Sequence, residues 1–409
     1  MRATTTAMNP YVCAFRGRRD SYQVPLALAE AGLLDQFITD AYATRAVRSL
    51  TSLAPVSVRA KVAFRSEPGI PVAKVRCLWG TTVIEHLRHR MGCSARVTFN
   101  MLDRNFSWAA AKQAERTRSS LFLYSPYAWE AFTARYSHTP RKVMFQYHPH
   151  PELERRILGD DAIRFPGFGE SFSGSGGEEL GEEFVRRERD AWQHADLIFC
   201  ASTFTRRSLI EAGCEESKCV IAPYGIDLPP TAAGDLPAQA FHVLLVGSGG
   251  QRKGLHHLLL AWQRAELPAD SKLTLVCRVI DREIERLATS TSRVEIVRGL
   301  AQGKLDSLYA RSSLFVMPSL VEGFGQVYLE AMAQGCPVLG TANTCLPDLG
   351  GEADGIFTVA PGNVDELAAA LTRLGRMLPG DAALRQAARA CSGRFTWTAF
   401  RSAIREALA

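Results

Sequence analysis

Short runs of apolar, β-favouring residues alternate along this chain with stretches whose apolar positions recur every three or four residues. That alternation predicts stacked βαβ units and parallel sheets. PYVCAF (residues 10–15) reads as the first strand, SYQVPLALAEAG as a helix and QFITD as the second strand. LFLYS (121–125) is a further strand, after which Ser125-Pro126 opens a helix. KVMFQYHPHP is a strand that runs into a loop rich in histidine and proline. DLIFCAS and CVIAPYGID follow, separated by a helix after Ser202. Residues 45–120 resist this division and carry basic amphipathic segments.

Two stretches break the pattern. Residues 158–181 include GFGESFSGSGG, a Gly/Ser-rich insertion suited either to a lid or to a passive surface loop. Around 229–240 (PPTAAGDLPAQA) the chain turns to Pro, Ala and Gly, which marks a domain boundary. A second βα series begins at FHVLLVG (241–247) and continues through KLTLVC, VEIVRG, SLFVMP and PVLG. The last segment, FTWTAFRSAIREAL, places Phe395, Trp397, Phe400 and Ile404 near helical spacing. The expected division is therefore residues 1–230 with a terminal helix at 393–409, facing a second domain over 240–392.

Composition narrows the class. With 409 residues, 46% hydrophobic and 22% charged, the chain can bury two sizeable cores. The N-terminus lacks the apolar core of a signal peptide, and no apolar run reaches the roughly 18–20 residues of a spanning helix. A cytoplasmic protein is expected, at most peripheral at the inner membrane surface. Ten cysteines are scattered without repeated spacing, and no His/Cys cluster has zinc-like spacing, so buried free thiols and no metal site are expected. The net charge of +6 hides an asymmetry: residues 1–150 hold 21 Lys/Arg against 9 Asp/Glu, and the remainder 27 against 33. A positive first half suits an anionic acceptor or an anionic membrane, or is simply a solvated arginine-rich face. Basic and aromatic residues do not interleave as nucleic-acid binding would require.

The most informative stretch is PSLVEGFGQVYLEAMAQGCPVLGT, residues 318–341. A buried strand ends at Pro318-Ser319, the loop Glu322-Gly323-Phe324-Gly325 follows, and a helix runs over 327–334 until Gly335. Glycines let backbone N–H groups approach a ligand, and the helix N-terminus adds a dipole that favours a diphosphate. Glu330, a turn into the helix, is placed to accept hydrogen bonds from a ribose diol, and Glu322 from sugar hydroxyls. The bland alternative is a plain strand–loop–helix unit with solvent-facing glutamates, which the combination of loop, second glutamate and G-x-P-V disfavours.

This stretch resembles the donor-site signature of the retaining glycosyltransferases of the GT-B fold, family 4 (glycosyl transferases group 1). VGSGGQRKGLHHLLLAW (246–262), CASTFTRRSLIEAGCEESKCVIAPYGID (200–227) and the terminal FTW helix are similar to that family too. Together they cover roughly residues 185–409; the first 180 match only in βα character. The resemblance implies two facing Rossmann-like domains with parallel sheets, the terminal helix crossing back to the first. It implies transfer of a hexosyl group from a nucleotide diphosphate sugar to an acceptor hydroxyl with retention, by front-face departure and attack. A carbohydrate or lipid-linked acceptor in polysaccharide, lipopolysaccharide or glycolipid assembly would fit. The donor serves as co-substrate, with no cofactor and no metal.

Residue by residue, the resemblance makes Glu330 the ribose ligand and Glu322 the sugar ligand. The amides of Gly323, Phe324, Gly325 and Gln326 would surround sugar and phosphates. Lys253 and Arg252 would neutralise the leaving diphosphate. Family members often carry an arginine directly after the glycine that ends this strand, whereas here Ser248 follows Gly247; Arg252 or Arg278 would substitute. His148 and His150 follow an N-domain strand at the end that faces the crevice in open α/β sheets, where the family places a histidine near the donor sugar. Gly17 and Arg19, in the first βα loop, are expected near the cleft on the acceptor side. An epimerase or glycoside phosphorylase of the same fold, or a non-catalytic sugar- or nucleotide-binding protein, stays open as an alternative.

Overall fold

The computed structural model describes residues 9–44, 64–169, 182–229 and 240–409, with 47, 49, 59 and 62 besides. Seven strands form the first sheet: β1 (Tyr11–Ala14), β2 (Leu34–Thr39), β3 (Val75–Cys77), β4 (Ser120–Tyr124), β5 (Lys142–Gln146), β6 (Leu197–Cys200) and β7 (Cys219–Ile221). Their order is β3-β2-β1-β4-β5-β6-β7, every pairing parallel. The second sheet contains β8 (His242–Val246), β9 (Lys272–Val276), β10 (Val294–Val297), β11 (Leu314–Val316), β12 (Val338–Thr341) and β13 (Ile356–Val359). Its order is β10-β9-β8-β11-β12-β13, again parallel throughout.

Strands β1, β4 and β11 are buried at every position, as parallel strands covered by helices on both faces must be. Both sheets reverse their winding at one point, between β1 and β4 in the first and between β8 and β11 in the second. Ligand crevices of open α/β sheets lie at such switch points, beyond the carboxyl ends of the strands. The loops that follow β8 and β11 are the two stretches singled out in the second half of the sequence.

The terminal helix Trp397–Leu408 buries Trp397, Phe400, Ile404 and Leu408 on one face. It packs on the Gln23–Glu30 helix of the first domain, where Arg401 bonds Gln23 Oε1 at 2.6 Å and both Arg401 and Arg405 pair with Glu30. Arg141 bonds the Leu408 carbonyl at 3.1 Å. The chain thus crosses back to the first sheet after completing the second.

Residues 45–120, opaque in sequence, contain β3 and the helices Trp79–Arg90 and Ala95–Thr117. Two strands, β3 and β13, carry no signal strong enough to mark them; one has three residues and the other four. The composition break at 229–240, most of the Gly/Ser-rich insertion and most of the basic segment at 45–65 lie outside the described residues. No helix among the described residues is long and apolar enough to cross a membrane.

Candidate donor site

The Gln251–Lys253 turn after β8 and the loop after β11 meet at one carboxylate. Glu322, 7% exposed, is reached by Lys253 Nζ and by Arg252 Nη1, the latter at 3.2 Å. Arg252 also donates to the Val321 carbonyl at 3.2 Å. Burial alone would raise the Glu322 carboxyl, but Arg252 and Lys253 outweigh it and hold the group down to about 2. Burial pushes Lys253 the other way, below the ordinary lysine range, and Glu322 opposes that loss of charge. A two-cation, one-anion cluster therefore sits at the second switch point with an excess of positive charge.

Two glycines make this closeness possible. Gly254, at φ +68, lies where a Cβ would come within 2.1 Å of the Pro318 carbonyl oxygen. That contact seats the helix Leu255–Arg264 directly against the end of β11. A Cβ on Gly323 would fall 1.8 Å from the Tyr147 carbonyl oxygen, so only glycine lets the second-domain loop touch the loop after β5. Ser202 and Thr205 of the first domain both donate their hydroxyls to the Gly323 carbonyl, at 2.5 and 3.1 Å. Gln326 Nε2 bonds the Gly225 carbonyl at 2.9 Å, and the Phe324 ring packs edge-on against Tyr224. The carbonyl and side chains of this loop thus bind the first domain. The amides of Gly323, Phe324 and Gly325 donate to no protein acceptor among the described residues.

His148 faces the cluster from the first domain. Burial, then the positive charge of Arg252, lowers its pKa to about 4 from an ordinary 6.5, Lys253 and Arg19 adding to the effect and Glu322 opposing it. The imidazole is neutral at pH 7, and its Nδ1 has no hydrogen-bond partner among the described residues. Arg19 stacks its guanidinium over the Tyr147 ring at 4.3 Å, one residue from His148. A cavity of about 180 Å³, lined in part by Gln146, Tyr147, His148, Glu188 and Arg252, opens between the two domains here.

The structure therefore brings His148, Arg252, Lys253, Glu322 and the Gly323 loop together, with Arg19 behind Tyr147. Glu330 stands on the Gln326–Ala333 helix, where Tyr309 donates to its Oε2 at 3.3 Å and burial raises its pKa. Gly17, at φ +82, spends its N–H on Asp40 Oδ1 at 3.0 Å. Arg278 lies over Gly299, beyond β10, and not with the cation pair.

The expectation for His150 needs correction. It is 3% exposed and caps the Pro151–Arg164 helix, its side chain accepting from the Glu152 N–H. Its Nε2 sits 2.9 Å from the Arg189 carbonyl, and its own N–H donates to Ser208 Oγ at 2.8 Å. Pro151 starts a helix at the next residue, and the position before it is where a side chain turns inward to cap. Sequence reasoning passed over Tyr147, Ser202, Thr205 and Tyr309. Ser202 was legible as an N-cap, but its second bond, to a carbonyl 121 residues away, carries no local signal.

Residues 240–376 match the family model described as glycosyl transferases group 1. The MMP alpha-(1->4)-mannosyltransferase of Mycolicibacterium hassiacum is 28% identical over 193 residues, 46% of this chain and 47% of that protein. The serotype-specific mannosyltransferase WbdA of Escherichia coli is 32% identical over 196 residues, 43% of this chain and 24% of that protein. This chain thus matches half or less of the length of these curated relatives. Among solved structures, the sucrose-phosphate synthase of Thermosynechococcus elongatus aligns over 98% of both chains at 18% identity with a TM-score of 0.67. Anabaena HepE, solved in complex with UDP-glucose, aligns over 98% of this chain and 99% of that one at 17% identity and a TM-score of 0.57. Residues 240–376 are thus similar to glycosyl transferases group 1, and the chain's two facing Rossmann-like domains have the GT-B fold.

Proposed function

We propose that this protein is a retaining hexosyltransferase that takes its sugar from a nucleotide diphosphate donor and passes it to an acceptor hydroxyl. The observation that carries the reading is the convergence of Arg252, Lys253, Glu322 and His148 where the two domains face each other. An excess of half-buried positive charge beside free loop amides suits a diphosphate, which leaves with at least two negative charges.

Glu322 pairs with both cations. A diphosphate of higher charge competes for them, and Arg252 and Lys253 then turn from the carboxylate to the phosphate oxygens. Glu322 is released to accept hydrogen bonds from sugar hydroxyls. Glu330 receives the ribose diol, with Tyr309 fixing its orientation. During transfer the anomeric carbon–phosphate oxygen bond breaks and the acceptor oxygen bonds the same carbon from the same face. The acceptor proton passes to the departing phosphate, and the cations stabilise the charge left on it. His148, neutral at pH 7, offers a hydrogen bond to the sugar without adding a cation beside Lys253. No metal is assigned to this step.

Mannosyl is the group named in the activities of the curated relatives above, and it heads the donor screen. For the acceptor, a lipid-linked glycan at an anionic membrane surface is favoured by the Trp79–Arg90 helix. Trp79, Val83 and Leu87 lie four residues apart along one face and are 51%, 59% and 51% exposed, and Met91 continues the row at 69%. A row of exposed apolar side chains on a basic domain is the pattern of a helix that lies in a lipid interface.

The test is thermal unfolding with UDP, GDP, ADP and dTDP, alongside Lys253→Ala and Glu330→Ala. A ligand bound only by the folded chain at about 100 times its Kd adds about 2.7 kcal/mol, a shift of several degrees. One nucleotide should give that shift in the wild type and in neither variant. Absence of a shift with all four would remove the donor-site assignment and leave a phosphorylase or binding protein in front. With the base identified, the anomeric configuration of the product decides retention.

A further inference from the structure

Beside the donor site a second polar cluster joins the two domains. The Pro151–Arg164 helix begins next to His148 and ends against the second domain, where Phe165 and Phe168 pack on that domain's core. Near its end Asp161, 4% exposed, meets two consecutive histidines of the Leu255–Arg264 helix, His256 and His257, both at most 1% exposed. His256 Nε2 lies 3.1 Å from Asp161 Oδ2, and His257 Nε2 lies 2.8 Å from Asp161 Oδ1. Gln251 adds its amide N–H to Oδ2 at 2.8 Å.

The bonding in this junction is incomplete. The Nδ1 atoms of both histidines, the Nε2 of His257 and the Oε1 of Gln251 are buried, and none has a hydrogen-bond partner among the described residues. His257 Nε2 is close to the carboxylate but misaligned for a hydrogen bond. A neutral imidazole carries one proton and one lone pair, and an ionised carboxylate only lone pairs. Acceptors therefore outnumber donors around one buried negative charge, an arrangement that costs free energy unless a cation joins it.

One ligand atom from each of Asp161, His256 and His257 lies within 4.8 Å of the other two. We propose that these three residues form a site for one first-row transition-metal cation of the zinc class, which ties the first domain to the second. Two imidazoles and a carboxylate are donors suited to zinc or cobalt and poorly suited to magnesium or calcium. Tetrahedral zinc with bonds of about 2.0–2.1 Å holds its ligand atoms about 3.3 Å apart. Each histidine nitrogen already lies within that reach of the carboxylate, at 3.1 and 2.8 Å, and the three ligand atoms, within 4.8 Å of one another, draw together to that spacing when the cation binds. On binding, each imidazole turns a lone pair to the cation and carries its proton on the other ring nitrogen. Water or Gln251 Oε1 fills the fourth position. The rings of Phe165 and Phe168 lie 4.8 Å from His257 and 5.4 Å from His256 and keep bulk water away. Asp161 comes from 95 residues upstream of His256, which is why no ligand spacing marks the site in the sequence.

The experiment uses the untagged full chain, stripped with a chelator and titrated with Co²⁺. One equivalent should bind with the visible absorption of a tetrahedral cobalt centre, and Zn²⁺ should displace it and raise the unfolding temperature. His257→Gln and Asp161→Asn should each weaken Co²⁺ binding at least about tenfold, since even outer partners of metal ligands are worth that much. His194→Gln, on the surface, should not. A wild-type chain that takes up no cobalt overturns the proposal, and this result stands whether or not the variants fold. Uptake equal to wild type in both folded variants overturns it as well.

Discussion

At the residue scale, the site is a competition between burial and charge. Burial penalises every ionised form, yet Glu322 stays ionised because two cations touch it, while His148 stays neutral because burial, and then the positive charge of Arg252, both disfavour its protonated form. The pH dependence follows from His148. Between about 4 and 6.5 the unfolded chain holds the imidazole proton and the folded chain does not. Stability therefore rises with pH across that window and is lost as pH falls through it, with a slope of at most about 1.4 kcal/mol per pH unit. Urea unfolding of wild type and His148→Gln at several pH values measures this: the variant should show the shallower slope between pH 4 and 6.5. Equal slopes would mean that the imidazole is protonated in the folded chain. The types of these residues were legible in the sequence, as were Lys253 and Glu322 as candidates. Their mutual pairing was not, because it joins loops 69 residues apart.

At the scale of elements, the site depends on how closely two loops approach. Gly254 separates the cation-bearing turn from the Leu255–Arg264 helix, and its φ of +68 is reached at little cost only by glycine. Gly254→Ala adds a left-handed alanine, which costs about 1–3 kcal/mol, and drives its Cβ into the Pro318 carbonyl. Its denaturation midpoint should fall accordingly, and its nucleotide response should fall with it. Gly303→Ala provides the contrast. Gly303 lies in the Gln302–Arg311 helix with nothing within 4 Å of the new methyl, so stability should hold or rise by up to about 1 kcal/mol. A similar loss in both variants would remove the steric account. The strands of the second sheet were legible for the same local reasons, as apolar runs closed by Gly and Pro, until β13.

At the scale of the molecule, charge and apolar surface are divided between the two halves. The basic excess belongs to residues 1–150, and so does the exposed row formed by Trp79, Val83, Leu87 and Met91. Co-sedimentation with vesicles of anionic and of zwitterionic lipid separates the contributions. Wild type should bind the anionic vesicles more strongly, and salt should weaken that binding. Leu87→Asp should reduce binding to both, since an exposed leucine can be replaced without opening a core. If wild type ignores both kinds of vesicle, the row does not serve a membrane. Nucleotide stabilisation would be unaffected by that result, because the donor site is built from Arg252, Lys253 and Glu322 in the loops after β8 and β11.

The sequence alone determined the two βα series and the strand–loop–helix that carries Glu322 and Glu330. Hydrophobic period, Gly/Pro punctuation and short-range spacing are local, and each is written within a few residues. Tertiary structure alone decided that His148 faces Arg252 and Lys253 while His150, two residues away, caps a helix. It alone brought Asp161 to His256 and His257. Those placements depend on where the loops of two separate sheets meet, and the distance between such loops is fixed by packing across the whole chain rather than by the residues beside them.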